Sequence, residues 1–262
     1  MDLERHEKSS IILSGSSTLK HGCNPEYLAR LTASPVLLSA SNAYSPARNY
    51  FDLIDVINPG VRQCDAVGEI QKTLFYGTPE FGGEYSSIAT LLPTGKGTSA
   101  SHLTATQDKF VEGEATIIEL SGVYQRYHCP MARTVLLGKP DQKKIDTMNK
   151  TNEALQAGID AAKPGQTADD VAQAFWKILD KYGIEKTSRT GYSIGIGYPP
   201  DWGEHTLNIS KGDMTILEPN VTFHMIAVMQ FGGWGVEASE AIRITDKGCE
   251  LFCNFSKDLH IK

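Results

Sequence analysis

From about Pro46 onward, two apolar rhythms alternate along the chain. The first has the period of an α-helix: Ile145, Met148, Leu155 and Ile159 fall on one face, and Val171, Phe175, Ile178 and Leu179 do so after them. Segments 51–77 and 155–183 share a plan. Each has a helical run broken by Pro-Gly (Pro59-Gly60, Pro164-Gly165), an acid six positions after the proline (Asp65, Asp170), and a second helical run closing on Tyr-Gly. Thr167-x-x-Asp170 has the form of a capping box, which places a helix start there. Residues 1 to about 42 carry the least pattern: SGSSTLKHG is turn-rich, and TASPVLLSAS allows one short strand or none.

The second rhythm is strand-like. After each helical pair come β-branched and apolar segments: SIATLL, ATIIELSG, YQRYH and ARTVLLG in the first half, then SIGIGY, MTILE, TFHMIAVM and AIRIT in the second. A helix–helix–sheet unit occurring twice predicts a pseudo-two-fold α+β domain, with a curved, mainly antiparallel sheet and helices on one face. Such duplication places a site between the halves, where both sets of strand ends converge.

Composition adds exclusions. The 262 residues are 40% hydrophobic and 21% charged, with 31 acids against 25 bases and a net charge of −6, so nothing favours nucleic acid or an anionic membrane as partner. No apolar run is long enough to span a bilayer, and the N-terminus MDLERHEKSSIILSG lacks the form of a secretory signal. Five cysteines (Cys23, Cys64, Cys129, Cys249, Cys253) suit a reducing, cytoplasmic compartment, and Cys249-x3-Cys253 has no second pair with which to build a zinc site.

Polar residues at strand ends are the candidates for chemistry. Glu119 closes an apolar TIIE strand, where a carboxylate is either hydrogen-bonded structure or a working group with a raised pKa. His102 follows a glycine- and serine-rich loop and reads either as a donor to a polarised group or as a surface histidine. Tyr192, Tyr198 and Trp202, in GYSIGIGYPPDW, either stack on a small cationic or planar ligand or belong to an aromatic-rich structural loop. The Tyr124–His128 hairpin and His224 complete the polar set. Glu237 and Glu240 stand three apart, so on a strand they point to opposite faces and at most one meets the site, leaving the other as a solvated or salt-bridged surface group.

These residues together resemble the pita-bread superfamily of methionine aminopeptidases, prolidases, Xaa-Pro aminopeptidases and creatinase. The resemblance is carried by the duplicated plan, the His102 loop, ELSGVYQRYHCPMARTVLLG, GYSIGIG and EASEAIRIT, in order over roughly residues 45–250. Metal-dependent members hold two divalent cations with two aspartates, a histidine and two glutamates. Position by position, those ligands fall here at Glu119, Pro130, Tyr192, Ile226 and Ser239. Pro and Ile offer no ligand atom, and Tyr and neutral Ser are poor ones for a hard cation, so no metal or other cofactor is expected.

FGGEYSSIATLLPTGKGTSASHLT, RYHCPMART, SRTGYSIGIGYPPDWGE and TFHM are similar to the ectoine hydrolase branch. The resemblance implies a metal-independent hydrolase that opens the cyclic amidine ring of ectoine to an N-acetyl-diaminobutyrate. It implies Glu119 as nucleophile or base, His102 and His224 as hydrogen-bond or proton-shuttle groups, Tyr192 and Trp202 around the ring, and Glu237 or Glu240 balancing its charge. Arg126, Arg133 and Arg189 are candidates for the substrate carboxylate, Arg133 weakest because an Arg-Thr pair there reads as structural. A small-molecule substrate and a homodimer are the partners the family suggests. Residues 1–44 form a short N-terminal segment where such enzymes usually carry a separate domain, and 45–262 form the catalytic domain. Competing readings are a creatinase-like or Xaa-Pro peptidase-like hydrolase of another small nitrogenous solute, and a non-catalytic binding protein on the same scaffold.

Overall fold

The computed structural model describes residues 53–77, 82–253 and 255–262, so the short N-terminal segment expected over 1–44 lies outside the described residues. The elements follow the predicted order. Helix α1 (Gln63–Tyr76) precedes strands β1 (Ala115–Tyr124) and β2 (Tyr127–Leu136). Helices α2 (Gln142–Ala161) and α3 (Ala168–Lys181) precede β3 (Gly191–Tyr198), β4 (Asp201–Ile209), β5 (Thr222–Phe231) and β6 (Trp234–Ile244), followed by short β7 (Cys249–Leu251) and β8 (His260–Ile261).

Local chemistry explains the boundaries. Asp141 caps α2 by accepting from Lys144 N–H, and α3 opens on the Thr167/Asp170 capping box read from sequence. The β1–β2 connection turns on Gln125 (φ 48°) and Arg126 (φ 66°), two left-handed residues in a two-residue hairpin loop. No glycine supplies that conformation; instead the Glu84 carboxylate accepts from both backbone N–H groups, at 2.8 and 3.3 Å.

The sheet runs β1-β2-β3-β5-β6-β7, with β4 on β3 and β8 parallel to β2. Pairs β1–β2 and β5–β6 are long and antiparallel, but β2 meets β3 only at Tyr127–Ile196. The sheet curls at that weak seam. Arg133 and Thr134 of β2 bridge the curl to β6: Thr134 Oγ1 donates to the Glu237 carbonyl and accepts from Glu237 N–H, both at 2.8 Å.

Two apolar clusters hold this shape. One packs α2 and α3 on β5 and β6 through Leu155, Val171, Phe175, Leu179, Phe223 and Met225; the other packs α1 on β1 and β2 through Ile70, Leu74, Ile118 and Leu120. The helix–sheet approach at Gly158 is tight enough that a Cβ there would stand 1.9 Å from Met225 Cε. Among the described residues no helix is long and apolar enough to cross a membrane.

Two expected strands are absent. In SIATLL only Leu91 makes bridges, to Glu119 and Thr104, and in MTILE only Ile216 does, to Thr167. Leu91, Leu92 and Leu217 are buried, while Met214 and Ile216 are exposed, and neither segment has a partner long enough to build a ladder. Conversely, β4 escaped the pattern because its burial is irregular, with Glu204, His205 and Thr206 facing outward or half-buried.

Candidate active site

The concave side of the curl holds two adjoining recesses, of about 180 and 470 Å³, that share Leu91, His102, Glu119, Arg189 and Tyr192 in their walls. The smaller adds Glu237, Lys186, Ser188 and Ile226; the larger adds Trp202 and Asp201. The larger lies within the roughly 300–1,000 Å³ usual for small-molecule sites.

Glu119 is fixed by its main chain on both sides. It is paired with Ala132 across β1–β2, and it exchanges N–H and C=O bonds with Leu91 at 3.0 and 2.8 Å. The residue is buried, and its carboxyl has no hydrogen-bond partner among the described residues; burial raises its pKa to about 7. Glu237, on β6, is equally buried. Its pKa stands well above the usual carboxylate range, first through burial and then through the nearby charge of Glu119, with Lys186 opposing. Two carboxyl groups on the floor of one cavity therefore titrate as a pair, both raised by burial.

Tyr192 heads a buried hydrogen-bonded chain. Trp202 Nε1–H donates to Tyr192 Oη at 2.6 Å, His224 Nδ1 lies 3.0 Å from the same oxygen, and His224 Nε2 lies 2.6 Å from Ser239 Oγ. Ser239 Oγ already accepts from Ala132 N–H at 2.7 Å. His224 is neutral, held near 3 by burial and by the charges of Arg133 and Arg189. The Ser239 proton has one acceptor among the described residues, His224 Nε2; a buried hydroxyl proton left unmatched costs about 1–3 kcal/mol. The protonated nitrogen of His224 is then Nδ1, which donates to Tyr192. With two donors on its oxygen, and burial keeping it neutral, the Tyr192 hydroxyl sends its own proton into the cavity it lines.

The structure sorts the sequence candidates. Glu119, His102, Tyr192, Glu237 and Trp202 share the cavity walls, His102 on an exposed loop with φ 63°. His224 does not line it; fully buried, it orients Tyr192 rather than meeting a ligand. Glu240 is not the surface group expected of the outward-facing partner. It is buried against Arg133, Nη2–Oε1 2.5 Å, on the far side of β6 from Glu237. Arg133 spends its other donors on the carbonyls of Ala132, Ser239, Phe255 and Ser256, as a structural brace.

Arg126 departs from its expected role for the same reason. Its guanidinium donates to the carbonyls of Gly197 and Tyr85 and to Ser87 Oγ, and lies over the Tyr85 and Tyr198 rings, outside both recesses. Tyr198 is thereby drawn away from the cavity as well. His128 is pinned by Ser87 N–H and held neutral, near 4, by burial. Sequence reading missed Lys186 and Ser188, whose loop has no periodicity; the only signal was a run of donors in KTSRT before the glycine strand.

The metal-ligand positions bear directly on cofactor fit. Ile226 and Ser239 face each other across β5–β6, Ser239 and Tyr192 have committed their oxygens to the buried chain, and Pro130 has no donor. No group of three or more His, Cys, Asp or Glu able to hold a metal occurs among the described residues. The donor set does not fit a pair of hard divalent cations.

The model for "Metallopeptidase family M24" matches residues 38–247. The chain is 43% identical over 216 residues to an ectoine hydrolase of Halomonas elongata, covering 80% of this chain and 54% of that one. It is 29% identical to a Xaa-Pro dipeptidase of Lactobacillus helveticus, covering 79% of this chain and 55% of the relative. The chain thus spans about half the length of these relatives. Among solved structures, prolidase from Pyrococcus furiosus superposes with a TM-score of 0.76 at 20% identity, covering 84% of this chain and 63% of that one. An X-Pro aminopeptidase from Thermotoga maritima gives 0.79 at 17%, covering 92% and 68%. Those structures share the curled pita-bread fold, and with the family model matched across most of its length, this chain belongs to metallopeptidase family M24.

Proposed function

We propose that this chain carries the catalytic unit of a hydrolase that opens the cyclic amidine ring of ectoine to N-acetyl-diaminobutyrate without a metal ion. The observation that carries it is the Glu119–Glu237 pair: two buried carboxyl groups without hydrogen-bond donors among the described residues, on the floor of a cavity sized for a small molecule. Such a floor is matched by a compact cation bearing N–H groups, and an amidinium ring has both. The likeness to the Halomonas elongata enzyme supports the choice of ring.

An amidinium carbon is already electrophilic, so the enzyme needs a nucleophile and a proton donor more than a Lewis acid. Glu119, ionised, adds through one carboxylate oxygen to the carbon between the two ring nitrogens, and the C=N pair moves onto nitrogen. Glu237 gives its proton to the departing nitrogen as the ring C–N bond breaks, leaving the carbon esterified to Glu119. Water then adds at that carbon and the bond to Glu119 breaks, yielding the acetamide and restoring the carboxylate. Of the two water protons, one returns to Glu237 and the other finishes on the freed amine as ammonium. Tyr192 O–H and His102 supply hydrogen bonds at the cavity wall while charge moves.

Substituting Glu119→Gln tests this directly. Turnover of ectoine should fall at least about a thousandfold, while ectoine still raises the melting temperature. The native enzyme, quenched in acid during turnover, should carry the ring-opened adduct on the peptide containing Glu119 by mass spectrometry. Activity retained in the Gln variant would remove Glu119 from the nucleophile role.

A further inference from the structure

The cavity has a second charged wall. Lys186 and Arg189 stand on the connection between α3 and β3, above the carboxylate floor, and both line the smaller recess. Neither forms an ion pair with a carboxylate among the described residues. Lys186 Nζ donates to Ser188 Oγ at 2.5 Å, and Arg189 Nη1 donates to Asn208 Oδ1 at 2.5 Å. The Arg189 guanidinium lies 4.4 Å over the Tyr192 ring, which fixes its plane at the cavity edge. Ser188 also lines the recess and adds a hydroxyl beside Lys186.

Two cations without an ion pair among the described residues stand at one wall, Lys186 within reach of the Glu237 charge, and with two buried carboxyl groups on the floor they make a dipolar cavity. A simple cation would satisfy the floor but would meet Lys186 and Arg189 as like charges. A ligand carrying a carboxylate a few bonds from its cationic centre satisfies both walls at once. We infer that Lys186 and Arg189 anchor a carboxylate of the substrate, so that this site selects compact zwitterions over the corresponding bare cations. The inference rests on the reading of Glu119 and Glu237 as the cation-binding floor. The burial that lowers Lys186 to about 8 weakens the anchor in alkaline solution without removing it at neutral pH.

Matched ligand pairs test it: ectoine with its decarboxylated ring, 2-methyl-1,4,5,6-tetrahydropyrimidine, and 4-guanidinobutanoate with propylguanidine. Affinities are measured by calorimetry on the full chain and on Lys186→Met and Arg189→Gln, with folding checked by thermal denaturation. Each variant should weaken a carboxylated ligand by about tenfold to a hundredfold. The same variants should leave its decarboxylated partner unchanged or bound more tightly, because a like charge has been removed. That opposite sign cannot come from a merely damaged site. Equal losses on both members of a pair, or no loss on either, would overturn the anchor. Should the ectoine pair fail to bind while the guanidino pair shows the split, the ring-opening reading falls and the anchor stands. If no carboxylated ligand is favoured in any pair, the anchor itself falls.

Discussion

Tyr192 Oη lies 3.0 Å from His224 Nδ1, and the ring of His224 is closed off from the cavity that Tyr192 lines. Tyr192 and Ser239 stand at two of the positions that the family resemblance assigns to metal ligands. Here the two are joined through His224 into a chain of hydrogen bonds that ends at a hydroxyl facing the cavity.

Removing that hydroxyl leaves two buried N–H groups, from Trp202 and His224, without an acceptor. Tyr192→Phe should therefore cost about 1–3 kcal/mol in urea denaturation and lower kcat by roughly tenfold to a thousandfold with KM little changed. In the native chain, 15N chemical shifts of His224 should report a neutral ring protonated at Nδ1. A ring protonated at Nε2 would turn the chain round and take the Tyr192 proton away from the cavity.

The carboxylate pair sets the pH dependence. Activity needs Glu119 ionised and Glu237 protonated, so the rate should rise as pH climbs through about 7 and fall again at higher pH as the pair loses its second proton. Glu237→Gln should abolish the alkaline fall and cut the maximal rate, because the departing nitrogen loses its acid. A rate already maximal at pH 5 would contradict the raised carboxyl.

Stability should move the opposite way. A carboxyl held near 7 in the fold and near 4.5 when unfolded keeps its proton longer in the native state, so the fold loses stability as pH rises from about 4.5 to about 7. Glu119→Gln removes that loss and should be more stable than the native chain at pH 8, by roughly 1–3 kcal/mol. At pH 4 the two should be nearly equal. His128 and His224, held neutral near 4 and 3, work on the acid side: their contribution is complete above about 6.5 and is lost as pH falls through those values.

Arg133 and Glu240 form a fully buried pair that ties β2 to β6 beneath the site. Arg133→Met leaves the buried Glu240 carboxylate with only Lys257, 4.0 Å away, and should destabilise the chain by about 3–5 kcal/mol. Arg133→Met combined with Glu240→Gln should recover a good part of that loss, measured by thermal denaturation. A double variant no better than the single one would mean that the carbonyls of Ser239, Phe255 and Ser256, and not the charge pair, are what Arg133 serves.

Much of this was legible in the sequence where one residue's neighbours in the chain decide its structure. The capping box at Thr167, the helical faces before and after it, and the β1–β2 hairpin depend on local spacing, and they formed as read. The odd spacing of Glu237 and Glu240 correctly separated their faces. What it could not give was the environment of the outward one, because Arg133 lies 107 residues away along the chain. Arg126 looked free for a ligand for the same reason: the carbonyls that occupy it come from Tyr85 and Gly197. His224 looked like a site residue because it sits among site residues in the chain, and only β-sheet register turns it behind Tyr192. Lys186 was missed because a loop carries no period.

The most direct measurement of the central claim is the conversion of ectoine by the purified chain, followed by chromatography of the amine product, with and without a strong chelator. The account predicts N-acetyl-diaminobutyrate at equal rates in both arms, lost in Glu119→Gln. Product that disappears with the chelator and returns on adding a divalent cation would contradict a ring opening carried by Glu119 and Glu237 alone.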